Sequence, residues 1–241
     1  MNEEIRLKIF NYKNCTAVFS DKSDGDLNFY TYSEEQLEAI RKQLSKSLNH
    51  DIKFPVYVDQ VHKADVVQVS KNEPFPTSDT KADAIITDLP ETPIGVFTAD
   101  CCPVLIAGPD VVSATHAGWK STLQCICQNT VLKYNELYNI KPTELTAWIG
   151  PCIGECCFEL GDEVYDMFVS KNPKWSQFFV RFDKWHLNLR ALNRYQLEEA
   201  GIPSNQIIDY NHCTLCQADK YFSYRREHQK NGSMFSFIYR S

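Results

Sequence analysis

Apolar positions along the chain follow two periods. Short runs bounded by Gly, Pro, Asn or Asp read as strands, and longer stretches spaced at three and four read as helices. Ile5–Phe10 and Cys15–Phe19 read as strands joined by a turn over Asn11–Asn14. Ser33 and Gln36 form a capping box, and Leu37, Ile40, Leu44 and Leu48 line one face of a helix from Glu34 to about Leu48. Val56–Val58 and Val66–Val69 read as strands flanking Asp59-Gln60-Val61-His62. A loop with Pro74, Pro76 and Ser78 leads to the stretch Asp83–Thr122, where three apolar runs follow one another closely. Ile94–Ala99, Val104–Ala107 and Val111–Ala114 are its runs, broken by Asp100-Cys101-Cys102-Pro103 and by Gly108-Pro109.

A reversal symmetric about Gly108-Pro109 pairs Ile106 with Val111 and sets Cys101 opposite His116, about 4.5–5.5 Å apart at Cα. A one-residue slip would substitute Cys102. Pro103 lacks an N–H and points to an edge or a bulge rather than a central strand. Leu123 to about Leu137, Asp162–Ser170 and Leu187–Ala200 read as helices, the last closed by Gly201 with Pro203 beyond. Thr146–Ile149, Ile207-Ile208 and Met234–Tyr239 read as strands. With no repeat, low-complexity tract or linker, the expectation is one α+β domain over residues 1–241 with mixed or antiparallel sheets.

Composition narrows the function classes. The 241 residues carry 43% hydrophobic and 23% charged residues, ordinary for a globular protein. A formal net charge of −6, with no basic run longer than Arg225-Arg226, argues against a nucleic-acid binder. No apolar run approaches the roughly 20 residues that cross a bilayer, and the opening residues lack the form of a signal peptide. The expected location is the cytoplasm. Ten cysteines there are expected to be reduced, metal-binding or buried rather than disulfide-bonded, with Cys15, Cys125 and Cys127 as core residues.

His62, Cys101 and His116 all sit at the ends of apolar strand runs. Two imidazoles and a thiolate with a fourth position open are the donor set of a catalytic zinc, which acidifies water or polarises a substrate oxygen. The same set can hold a blue-copper ion. From spacing alone three separately satisfied residues are the simpler reading, since nothing in the sequence brings His62 to the hairpin. Cys213-Thr214-Leu215-Cys216 lacks a second cysteine pair at zinc-finger spacing and reads as a reduced structural pair. Pro151-Cys152-Ile153-Gly154-Glu155-Cys156 has one residue too many for a zinc deaminase signature, and no His-x-Glu accompanies it. Arg225 and Arg226, with Lys120, are candidates for clamping an anion such as phosphate; a solvated arginine pair is the alternative.

Taken together these pieces resemble the YfiH-like family, whose members are described variously as multicopper polyphenol oxidases with a laccase domain, peptidoglycan editing factors and purine nucleoside phosphorylases. The resemblance rests on Asp59-Gln60-Val61-His62, Ala82–Thr87, Thr98–Val104, His116-Ala117-Gly118-Trp119, Ile149–Ile153, Asn188-Leu189, Cys213-Thr214 and Phe222–Arg226. It implies a mixed β-sandwich core covered by helices. It implies a metal site of His62, Cys101 and His116, read as zinc with copper possible. It also implies phosphorolysis of adenosine, inosine and methylthioadenosine, with adenosine deamination as a second reaction. Gln60 and Asp100 would then orient the ligands from behind, and Lys120, Arg225 and Arg226 would meet phosphate or substrate. The chain departs from the family pattern at Lys63, at Lys120-Ser121, at Asp21–Gly25 including Lys22, and at Ser233. Other reactions open to the same residues are copper-dependent phenol oxidation and hydrolysis of misbuilt cell-wall precursors with Cys101 as nucleophile. A metal-binding structural or interaction protein is the non-enzymatic reading. The sequence carries no signal for oligomeric state.

Overall fold

The computed structural model describes residues 7–72, 75–228 and 232–241. In chain order its strands are β1 (Lys8–Tyr12), β2 (Cys15–Phe19), β3 (Val66–Val69), β4 (Ala84–Thr87), β5 (Ile94–Thr98), β6 (Cys102–Ala107) and β7 (Val112–Ala117). Then come β8 (Thr146–Ile149), β9 (Glu159–Leu160), β10 (Phe179–Arg181), β11 (Trp185–Leu187), β12 (Ile207–Asp209) and β13 (Met234–Arg240). The helices are α1 (Glu34–Leu48), α2 (Trp119–Leu123), α3 (Ile126–Tyr138), α4 (Asp162–Lys171), α5 (Leu189–Glu199) and α6 (Tyr224–Glu227).

Strand order in one sheet is β1-β2-β13-β5, antiparallel throughout. The other runs β12-β8-β6-β7-β4-β3, antiparallel in the middle and parallel at both ends. Alternation along β6 shows how the layers stack. Leu105 and Ala107 enter an apolar layer shared with Phe19, Val96 and Ile238 of the four-stranded sheet. Val104 and Ile106 face the opposite way, onto Val131 and Tyr134 of α3 and Leu192 of α5. Outside the four-stranded sheet, Leu44 of α1 packs with Phe235, Phe237 and Tyr239. The result is the expected α+β architecture, a mixed sandwich covered by helices. Burial on both faces explains why β4 to β8 read as continuous apolar runs.

Several expectations are corrected. The β6–β7 loop spans residues 108–111, with the Gly108 amide donating to the Val111 carbonyl at 2.8 Å. Ile106 therefore pairs with Ser113, and Pro103, not Cys101, pairs with His116. The shift is two residues, so every side chain keeps its predicted face. Pro103 lies on a central strand after all. Its carbonyl accepts from Gly150 at 2.9 Å, and β8 pairing starts only at Val104, so the missing N–H forfeits a terminal rung. The helix expected from Leu123 breaks into α2 and α3 at Cys125, whose φ is 65°. Val56–Val58 makes one bridge, Val56 to Ile94, instead of a strand. The first hairpin turns on Lys13-Asn14, with Tyr12 paired to Cys15; the predicted start at Ile5, like Pro74, lies outside the described residues. The small sheet β10-β11-β9 was not anticipated. A bridge between Cys152 and Cys213 joins two segments distant in sequence.

Candidate active site

β7 delivers His116 from the sheet interior, and the residues before β6 deliver Cys101. His62 comes from a loop that crosses in front of both. One ligand atom from each of the three side chains lies within 4.8 Å of the other two. Cys101 Sγ is 3.8 Å from His62 Nε2, and the two imidazole rings meet edge to face at 4.8 Å. His62 adopts φ 58°, a left-handed conformation uncommon for a side-chain-bearing residue. It is held there from behind: Asp83 Oδ1 accepts from the His62 amide at 2.9 Å and from His116 Nδ1 at 2.8 Å, while Oδ2 accepts from the Lys63 amide at 2.6 Å. Gln60 locks the same loop to β5, accepting from the Phe97 amide at 2.7 Å and donating to its carbonyl at 2.8 Å.

Electrostatics suit a ligand set. Burial alone would push the Cys101 thiol up, but the facing His116 charge and hydrogen bonds from both imidazoles reverse this and bring it down to about 6. Burial would likewise depress His116; the Cys101 thiolate and the Asp83 carboxylate lift it to about 9. The Asp83 carboxyl, raised by burial, is held below the usual carboxylate range by His116 and the two amides. The donors fit a metal ion. With Asp83 accepting the Nδ1–H hydrogen bond, an ion that displaced the Nε2 proton of His116 would find its lone pair there, the usual support for a metal-bound histidine. Gly118 passes close behind the ligands, where a Cβ would stand 2.9 Å from His62 Cδ2 and 3.0 Å from Cys101 Sγ.

The three residues lie in a cavity of about 660 Å³, whose lining includes Tyr30, Thr98, Phe158 and Tyr224. Lys120 and Arg225 line it too. Lys120 Nζ stands 5.5 Å over the Trp119 ring. Arg225 lies 5.6 Å over the Phe158 ring, with Nη2 donating to the Glu159 carbonyl at 3.1 Å. Arg226 is placed differently. Its guanidinium is taken up by the carbonyls of Thr214, Leu215 and Tyr221 and by Glu227, away from the cavity lining. Asp100, at φ 90°, accepts from the Thr214 hydroxyl at 2.5 Å, the Ser223 hydroxyl at 2.9 Å and the Arg225 amide at 2.7 Å. It holds the start of α6, and with it Arg225, against the ligand loop.

Asp83 and Thr98 carry no role in the sequence reading. A lone carboxylate inside the apolar run Ala82–Ile86 must be paired when buried, and that signal was readable. Thr98 is buried, and its hydroxyl has no partner among the described residues, a polar group on the cavity wall that spacing does not reveal.

The family described as multi-copper polyphenol oxidoreductase laccase matches residues 17–241. A purine nucleoside phosphorylase YfiH of Shigella flexneri is 36% identical over 209 residues, 85% of this chain and 81% of the relative. A protein described as adenosine deaminase RL5, from an unknown prokaryotic organism, is 36% identical over 165 residues, 66% of this chain and 62% of the relative. Among solved structures, a hypothetical protein YfiH of Bacillus licheniformis superposes with TM-score 0.86 at 28% identity, covering 100% of this chain and 98% of that one.

Proposed function

Because this chain belongs to the multi-copper polyphenol oxidoreductase laccase family and is similar to proteins described as a purine nucleoside phosphorylase and an adenosine deaminase, we propose that it is a zinc-dependent purine nucleoside phosphorylase with adenosine deaminase activity. One observation carries the reading: His62, Cys101 and His116 converge in a cavity whose lining also includes two cationic side chains, Lys120 and Arg225. Zinc is the ion that two imidazoles and a thiolate suit, and it supplies Lewis acidity toward water or a substrate oxygen. Tyr30, Tyr224 and Phe158 offer apolar surface to a purine. Lys120 and Arg225 draw in phosphate, Arg225 with its guanidinium fork. In phosphorolysis a phosphate oxygen bonds to sugar C1′ as the bond from C1′ to the base breaks. In deamination water replaces the amino group and ammonia leaves. Asp83 keeps the proton on His116 Nδ1, and Asp100 keeps the Arg225 backbone in register with the ligand loop.

Adenosine, inosine and methylthioadenosine are the substrates. The reducing compartment suited to free thiols is the cytoplasm. A multi-copper cluster needs further imidazoles, and the groups of possible ligands among the described residues include no other histidine cluster. His50 pairs with Glu91, His186 with the Glu155 carbonyl and His212 with the Tyr221 hydroxyl. The test is chromatography of nucleosides with zinc-loaded protein, with and without phosphate. Free base and sugar phosphate appearing only with phosphate, and inosine appearing from adenosine in its absence, are the expected results. Adenosine and inosine left unchanged would overturn the reading.

A further inference from the structure

The pair Cys213-x-x-Cys216 lacked a partner pair in the sequence, yet the fold provides one. The bridge from Cys152 to Cys213 lays the turn after β8 against the loop after β12. Cys156 and Cys157 are thereby brought to Cys213 and Cys216, with all four sulfurs within 4.8 Å of one another. Cys156 Sγ is 3.5 Å and Cys157 Sγ 3.3 Å from Cys216 Sγ. Bonded sulfurs would stand about 2.05 Å apart. Zinc–sulfur bonds of about 2.3 Å in a tetrahedron put sulfurs about 3.8 Å apart. The observed spacing is close to the second figure.

The surroundings of Cys213 favour a thiolate. Backbone amides of Gly154, Leu215 and Cys216 are directed at Cys213 Sγ, the first at 3.2 Å. Gly154 is the residue that permits this approach, since a Cβ there would lie 3.1 Å from Cys213 Cβ and 3.2 Å from Cys156 Sγ. Arg226 fixes the loop from behind through its bonds to the Thr214 and Leu215 carbonyls, both at 3.2 Å. The alternative reading of cysteine as core filler does not fit, because Cys156 and Cys216 are exposed.

We infer that Cys156, Cys157, Cys213 and Cys216 form a second, structural zinc site, separate from the His62–Cys101–His116 centre. Four thiolates in a closed tetrahedral set leave no position for substrate, so the ion acts on the fold. It pins the segment carrying Ile153 and Phe158, which line the cavity, to the loop carrying Thr214, which holds Asp100. Zinc binding releases the thiol protons and forms four zinc–sulfur bonds, with no change of oxidation state.

Metal content per chain, measured after zinc loading and desalting under reducing conditions, tests this. Wild type is expected to hold two zinc ions, Cys101→Ala one and Cys216→Ser one. Cobalt-loaded Cys101→Ala is expected to show the intense visible absorption of a tetrahedral four-sulfur site. Should Cys216→Ser fail to fold, the Cys101→Ala protein still decides: zinc or cobalt absent from it while its circular dichroism is native would overturn the inference. Iron in place of zinc, or a disulfide among these cysteines with no metal, would overturn it as well. Inactivity toward nucleosides would leave this site untouched, so the two readings fail separately.

Discussion

Replacing Asp83 by Asn is the most informative single perturbation. Its Oδ1 serves two donors, the His62 amide and His116 Nδ1, and its Oδ2 serves the Lys63 amide at 2.6 Å. An Asn side chain has one acceptor oxygen. Placed at the Oδ1 position, that oxygen keeps both histidine contacts and turns the NH2 against the Lys63 N–H, donor to donor. Placed at the Oδ2 position, it sets the NH2 against the His62 amide and against Nδ1. The first arrangement loses one contact and the second loses two, so the first is favoured. Loss of a hydrogen bond to a charged group costs about 1.5–3 kcal/mol. In a chain of this size that lowers the metal-free melting temperature by about 3–12 °C. The Lys63 amide is pushed off the NH2, which strains the adjoining His62 backbone, and His116 keeps its hydrogen bond but loses the charge behind it. Outer partners of this kind are worth about 10–100-fold in metal affinity. Competition against a chromophoric chelator at neutral pH, with each protein purified metal-free, measures the change. A chelator-derived zinc affinity for Asp83→Asn within twofold of wild type would refute the assignment of Asp83 as the residue that orients the ligands.

Gly118→Ala keeps a φ near −73° that any residue tolerates, so the fold is expected to survive while the new Cβ displaces His62 and Cys101 and metal affinity falls at least tenfold; an unchanged affinity contradicts the close approach. In metal-free protein the Cys101 thiolate is populated above about pH 6, so its alkylation rate should reach half-maximum near there, and His116→Gln should move the midpoint upward by removing the facing charge. Mass mapping of the alkylated cysteine over pH 4–10 checks it, and a midpoint that stays put in His116→Gln goes against that cause. Arg225→Ala is expected to raise the phosphate KM about tenfold or more with a smaller change for nucleoside, whereas Arg226→Ala acts through stability, read as a lowered melting temperature.

Helix α1 was legible because cap and period agree: Ser33 and Gln36 form both halves of the box, and Leu44 is fully buried. The sandwich strands were legible from their length and apolar character. The hairpin register was not, because loop length decides it, and a four-residue loop and a two-residue turn share the same Gly-Pro signal. The break between α2 and α3 left no mark, since Cys125 is not a residue that advertises a left-handed backbone. In the site, the chemistry of His62, Cys101 and His116 was visible, and so was the approach of Cys101 to His116 across the hairpin; the approach of His62 was not, because the Asp83 bonds that bring it in span distant segments. Arg225 and Arg226 are neighbours in sequence, yet the helical turn of α6 sends one to the cavity and the other to backbone carbonyls. Cys156-Cys157 and Cys213-x-x-Cys216 converge only through a bridge that no local pattern encodes.

Strand β13 lies between β2 and β5, hydrogen-bonded to both, although among the described strands it comes last in chain order and β2 second. During synthesis the β1–β2 hairpin and β5 must therefore wait with unsatisfied edges until residues near 240 emerge. Such late, long-range closure makes folding slow and leaves the nascent chain open to wrong pairing. Shortening the chain by this one strand would split its sheet in two rather than trim its rim.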